Sequence, residues 1–268
     1  MVFESLINPI TAERRPYEMM IIGAIYSAVA IIVSLLLFRD HASLMSVFLI
    51  VLMCSHIMYK TIKLEEQKDF NYSDERKLLK EHSKALAVFT FMFIGIAITV
   101  SLFYLFLPID TASSVFEVQQ DTISVITGSA VSPGLALKDI FFSNLRLLVI
   151  CTVFAFFFGF GAILILVWNA SVMGVVIGSF ARNSTGSSYF ASYSLGLARY
   201  LTHGIPEIIA FFAGGLAAGI ISIAIIRHDW RSKKFRHVLM DSASLFMLSV
   251  VILLFAALIE VFVTPIFF

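Results

Sequence analysis

Apolar residues along this chain fall in long runs without a charge, interrupted by short segments where polar residues crowd together. Met19–Phe38 gives twenty such residues, Ala42–Tyr59 eighteen and Ala85–Ile109 twenty-five, the last ending beside Pro108. Ile208–Ile226 and Ser242–Ile259 add nineteen and eighteen. A helix crossing the hydrocarbon of a bilayer needs about 20 apolar residues, so each run predicts a membrane span. Leu147–Ala181 is different, with thirty-five residues and no charge. Extended back to Ile140, past Arg146 and Asn144, the run reaches forty-two residues. Gly159 and Gly161 offer a tight turn within it. Two spans result, roughly 140–158 and 162–181, and the prediction is an all-α polytopic transmembrane bundle of about seven spans.

Composition agrees with that pattern. Of the 268 residues 59% are apolar and 14% charged, with a mean hydropathy of +0.94. Soluble domains are nearer 45–50% apolar and about 25% charged. A water-facing globular enzyme, a nucleic-acid reader and a disordered tail are thereby excluded. Cys54 and Cys151 both lie inside apolar runs, where they read as packing residues rather than a disulfide or metal framework.

The net charge of +1 is uninformative until the charges are located. Lys and Arg collect on the cytoplasmic side of membrane proteins. Segment 60–84 holds seven of them and segment 227–237 five, whereas the tail after Glu260 holds none. Both rich segments lie inside only if an even number of spans separates them, which requires the split at Gly159–Gly161. The N-terminus, with Arg14 and Arg15, is then inside and the C-terminus outside. Five charges in the first eighteen residues, with no small-residue cleavage site after the first run, make Met19–Phe38 a retained anchor rather than a signal peptide. Residues 1–139 form an N-terminal membrane region of three spans, and 140–268 a second region of four.

The inner segment 60–84 mixes both signs, with Ser73 as a candidate N-cap and Lys77 four residues before Glu81. It predicts a short, solvated charged helix; the sharper reading is a docking site for a soluble partner or anionic headgroups. The outer segment 108–139 intersperses Val115, Phe116, Val118, Ile123, Val125 and Ile126 with Glu117, Asp121 and Gln residues. That pattern predicts an amphipathic helix lying on the outer membrane face, with a lid over an outward cavity as the functional alternative.

Polar groups at membrane depth are the candidate chemistry, because an ionisable side chain there costs roughly 2.5–3.5 kcal/mol on insertion scales. Asn144 and Arg146 open the fourth span, His203 and Glu207 the sixth, and Glu260 closes the seventh. The predicted topology gathers all five near the outer interface. Arg199, His203 and Glu207 recur every four residues and share a stripe if one helix runs through them. Pro206 favours instead a short helix over 195–202, a swivel at Gly204 and a span beginning near Pro206. The plainer role for the cluster is pairing of Arg146 with Glu207 or Glu260, or Arg146 snorkelling to the surface. The sharper one is a cavity-facing site. One His and two carboxylates at these spacings match no metal signature, so neither metal nor cofactor is expected. No HExxH or GxSxG motif points to hydrolysis, so the chain is not expected to be an enzyme. Asn169, deep in the fifth span, predicts a hydrogen bond between helices. The pairs Gly174–Gly178 and Gly215–Gly219 predict close helix packing within the chain first, and a homodimer face second.

The second half resembles the stage II sporulation protein M family of integral membrane proteins. The resemblance rests on Asn144 ahead of an apolar run containing Gly159 and Gly161, and on Asn169 followed by Gly174. It continues through His203-Gly204-x-Pro206-Glu207 with Gly219, and through Glu260 before Thr264-Pro265, covering about 140–265. It implies a non-enzymatic scaffold that, in spore formers, anchors cell-wall hydrolases during engulfment. The expectation is therefore a multi-pass cell-membrane protein that tethers membrane or envelope partners and contacts lipid, with no nucleic acid involved. A small-solute or lipid transporter or channel using the outer cluster is the alternative.

Overall fold

The computed structural model describes residues 8–71, 75–127, 133–158, 162–183, 189–227 and 232–267, and every regular element among them is a helix. Helix α1 (Pro9–Arg14) starts on Asn8, whose side chain accepts the Ile10 amide, with Pro9 in the first turn. Helices α2 (Glu18–Leu37) and α3 (Ala42–Asn71) are joined by a single 3-10 turn at Arg39–His41. Then follow α4 (Glu75–Phe106), two short helices α5 (Ile109–Val115) and α6 (Glu117–Thr127), and α7 (Pro133–Phe158). Helices α8 (Ala162–Asn183), α9 (Tyr189–Arg227) and α10 (Lys233–Leu258) complete the bundle. Beyond α10 the chain passes through a π-helical turn, Ile259–Val263, into α11 (Thr264–Phe267).

Among the described residues six helices, α2, α3, α4, α7, α9 and α10, are long and apolar enough to cross a membrane. Their surfaces are arranged for lipid. On α2 the large apolar residues Ile21, Ile25, Val29, Ile32 and Leu36 form an exposed stripe, while Ser27 and Ser34 are buried. Ser27 Oγ donates to the Gly23 carbonyl, 2.7 Å away, so the inward hydroxyl is satisfied within its own helix. Helix α9 is the axis of the bundle: 83% of its apolar window is buried, against 17% for α7 and 22% for α10.

Glycines set the closest approaches. A Cβ on Gly23 would lie 2.4 Å from the Met92 carbonyl oxygen and one on Gly95 2.0 Å from that of Met20, so α2 and α4 cross backbone to backbone. Gly174 rests on the Ala97 carbonyl and Gly178 on that of Ser101, which makes α4 and α8 parallel. Gly196 meets Phe180 and Gly204 meets Met173, so α8 and α9 run antiparallel. Asn144 reaches Glu207 and Leu148 packs on Gly214, so α7 and α9 run the same way. Helices α7 and α8 are therefore opposed, and the chain reverses between them; Gly159 and Gly161 themselves lie outside the described residues. Gly215 and Gly219 are buried within the bundle. Phe89 and Phe93 of α4 stack against Phe212 of α9 at 5.3 and 6.5 Å between ring centroids. Leu78 and His82 line one small cavity with Asp241 and Ser244, placing the starts of α4 and α10 at the same end.

Three local expectations are corrected. Segment 60–84 is not a separate solvated helix: α3 continues to Asn71 and α4 begins at Glu75, so most of it extends the two membrane helices. Ser73 falls outside the described residues. Glu65, Glu66 and His82 are buried at 0%, 1% and 3% exposure, because α3, α4 and α1 pack together here. The break at Gly204–Pro206 is also absent, since α9 runs unbroken for 39 residues with Pro206 inside it. Contacts from Met173 of α8, Asn144 of α7 and Thr264 beside Pro206 support a helix that proline alone would interrupt. Segment 108–139 does hold helices, but α6 turns its inner face to protein. Gln119 is fully buried; it accepts from Ser43 Oγ at 2.7 Å and donates to Ser171 Oγ at 3.3 Å, linking α6 to α3 and α8.

Candidate functional site

The unbroken α9 puts His203 and Glu207 one turn apart on one face, and two other segments meet them there. Asn144 of α7 donates through Nδ2 to Glu207 Oε1 at 2.5 Å. Glu260, in the π-helical turn, is within electrostatic reach of Glu207. Thr264 Oγ1 lies 3.4 Å from His203 Nδ1 and also donates to the Ile259 carbonyl at 3.2 Å. A π turn opens the helix ladder and re-aims its side chains, a device frequent at functional sites. Here it delivers Glu260 and Thr264 to α9. The His203 ring packs on Tyr200 at 6.3 Å, and the Arg199 guanidinium sits over that same Tyr200 ring at 5.8 Å.

Of the residues singled out in the sequence, Asn144, His203, Glu207 and Glu260 are thus brought together. Arg146 is not among them. It is exposed and forms no ion pair with Glu207 or Glu260, because it projects from α7 on a different side from Asn144, two residues earlier. Asn169 bonds nothing through its buried Nδ2 atom. Continuing the register set by Gly196–Phe180 and Gly204–Met173 one turn along α8 puts Asn169 at the height of Glu207. The cluster so built is two carboxyl groups, an imidazole, an amide and a hydroxyl. It can hold and relay a proton and bond helices to one another. Among the described residues no group of three or more His, Cys, Asp or Glu side chains is placed to hold a metal ion.

A second polar network was not foreseen. Glu65 of α3 accepts from Lys68 Nζ at 2.6 Å and faces His82 Nδ1 of α4 at 2.7 Å. Lys68 also reaches Glu13 of α1 at 2.7 Å and Glu81 at 3.4 Å, and Lys84 pairs with Glu81 at 2.5 Å. Burial first, then the neighbouring Glu65 carboxylate, pushes the Glu13 carboxyl up to about 7, against the pull of Lys68. A signal for this network was present. Cys54, Ile57, Met58, Thr61, Ile62 and Glu65 continue one buried stripe along α3, and Leu78, His82, Ala85 and Phe89 do so along α4. The ionisable residues sit in phase with the apolar ones. At the far end of α4, Arg182 donates to the carbonyls of Tyr104, at 2.9 Å, and Leu107, capping the negative end of the helix.

With this geometry in hand, comparison with known proteins is decisive for kinship. The Stage II sporulation protein M family model matches residues 19–265. The chain belongs to that family. The match reaches well ahead of residue 140, so the first three long helices are part of the family's architecture as well as the HGxPE segment. No curated protein and no solved structure matches the chain. As a Stage II sporulation protein M family member with six long apolar helices, it is a multi-pass membrane protein.

Proposed function

We propose that this Stage II sporulation protein M family member is a non-enzymatic scaffold of the cell membrane that tethers other membrane or envelope proteins. In this reading it crosses the bilayer seven times, with α8 as the additional span, the N-terminus inside and the C-terminus outside. The alternating helix directions support the count. So does the cavity shared by Leu78, His82 and Asp241, which brings the starts of α4 and α10 to one end. The observation that carries the scaffold reading is the Asn144–Glu207 bond, made between α7 and α9. It engages a carboxyl group of α9 with a neighbouring helix and fixes which helices are neighbours. The paired ends of α3 and α4, tied to α1 through Lys68, offer a firm cytoplasmic platform.

One observation favours the transporter alternative: the π turn brings Glu260 toward Glu207 at the height of the Asn169 Nδ2 atom, which bonds nothing. Glu207→Leu, which removes the acceptor oxygen that Gln would keep, separates the two. For a scaffold, the variant loses thermal stability, and crosslinking in native membranes loses the partners captured by the wild type. Normal folding and an unchanged partner set, with lost flux across vesicle membranes, would instead establish transport.

A further inference from the structure

His82 sits where α3, α4 and α10 come together, at the end of the bundle where α4 and α10 begin. It is buried, at 3% exposure. On the α3 side Glu65 Oε2 lies 2.7 Å from His82 Nδ1, and Glu65 itself is fully buried. On the α10 side His82 lines a cavity of about 30 Å³ together with Leu78, Leu79, Asp241 and Ser244. A cavity of that size has room for one water, and Asp, Ser and His are side chains that bind one. Asp241 is buried as well, and its Oδ2 lies 3.2 Å from Nε2 of the half-exposed His237. Helix α10 packs chiefly on α9 and only lightly on α3. A charged tie from α4 therefore bears directly on where the start of α10 sits.

The charge on the ring decides whether the two sides are joined. A neutral imidazole has one N–H to donate, whereas an imidazolium has two and is positive. The charged form is drawn to both flanking carboxylates at once. Glu65 meets it directly, and Asp241 stands across a gap that a single water can bridge. The other charges at this end belong to the same surroundings. Lys68 holds Glu65 at 2.6 Å, Glu13 of α1 at 2.7 Å and Glu81 at 3.4 Å, Lys84 pairs with Glu81, and Glu66 is a further buried carboxylate on α3. Imidazole is the side chain whose charge ordinarily changes between pH 5 and 8. We infer that His82 is a pH-sensitive latch: when protonated it ties the start of α10 to α4 through Asp241, while Glu65 holds α4 to α3, and loss of the proton releases α10.

Hydrogen exchange of the full chain in detergent, read over residues 235–244 at pH 6 and pH 8 and corrected for intrinsic rates, tests the latch. The expected result is exchange about three- to thirtyfold slower at pH 6, the range between an ordinary and a charge-assisted hydrogen bond. Asp241→Asn keeps the size of the side chain, removes its charge and should bring the two rates together. His82→Gln should do the same. Two controls should keep the response: His237→Gln removes the other imidazole facing Asp241, and Glu13→Gln removes the titrating carboxyl of α1. Should His82→Gln prevent folding, Asp241→Asn and the two controls decide alone. Equal rates in the wild type, a difference that persists in Asp241→Asn, or one lost in His237→Gln or Glu13→Gln would overturn the inference.

Discussion

The two polar clusters lie on opposite sides of the Phe89–Phe93–Phe212 contact and are built on different principles. Among the described residues the Glu207 cluster forms no ion pair with a cation: an amide serves one carboxylate, a hydroxyl serves the imidazole, and Arg146 stays outside. The Glu65 network is ionic, with Lys68 shared among three carboxylates and His82 closing the other side. Neutral partners place few demands on the surrounding dielectric, whereas buried ions need nearly complete mutual compensation. The ionic network should therefore be the more brittle of the two, and the neutral one more tolerant of change.

The largest expected effect is Lys68→Met. Removing the one cation common to Glu13, Glu65 and Glu81 leaves buried carboxylates uncompensated, a loss of about 3–5 kcal/mol by analogy with broken buried pairs. Thermal unfolding in detergent should show it, together with faster proteolysis of α1. Asn144→Ala comes next, at about 1–3 kcal/mol for a buried acceptor left without its donor. If Asn144→Ala proved more damaging than Lys68→Met, the contrast between the clusters would be wrong.

These clusters differ also in how far they could be read in advance. Asn144, His203, Glu207 and Glu260 stood out because each is polar inside or beside an apolar run, and membrane-depth cost alone finds such residues. Glu65 and His82 sit in a segment dense in both signs, where composition reads as solvent-facing. Only helical phase betrays them, and the phase can be followed only once α3 and α4 are known to continue through the charged segment. The opposed directions of α7 and α8 agree with the charge parity of the sequence. The unbroken helix through Pro206 was not legible, because local propensity argues for a break and the contacts that override it are tertiary. Arg146 was misplaced for a similar reason: spacing of two residues from Asn144 puts it on another face, which sequence proximity hides.

The pH response sharpens the contrast further. Glu13 holds its proton up to about 7, against an ordinary 4.5, because burial and the Glu65 carboxylate disfavour its charge. A raised carboxyl pKa means that the folded state binds more protons than the unfolded state between those values. Docking of α1 on α3 and α4 should therefore be firmest at acid pH and weaken as pH rises through about 7. Hydrogen exchange over residues 9–14, corrected for intrinsic rates, should be faster at pH 8 than at pH 6. Glu13→Gln should make the two equal; a difference that persists in that variant would place the titration elsewhere.

The smallest effect is expected at Arg146, and it bears directly on how the Glu207 cluster is neutralised. Were Arg146 the counter-ion for Glu207 or Glu260, Arg146→Ala would strand a carboxylate at depth and cost as much as breaking a buried pair. Instead the guanidinium is exposed, and a surface substitution of that kind is worth within about 0.5 kcal/mol. Thermal stability in detergent should hardly move, and the double variant Arg146→Ala with Asn144→Ala should show the Asn144 effect alone. Non-additivity beyond about 0.5 kcal/mol between the two would mean that Arg146 acts on the cluster after all. The Glu207 site would then be ionic like the Glu65 network. With additive effects, Glu207 rests on the amide of Asn144, and its charge state is free to respond to whatever approaches from the Glu260 side.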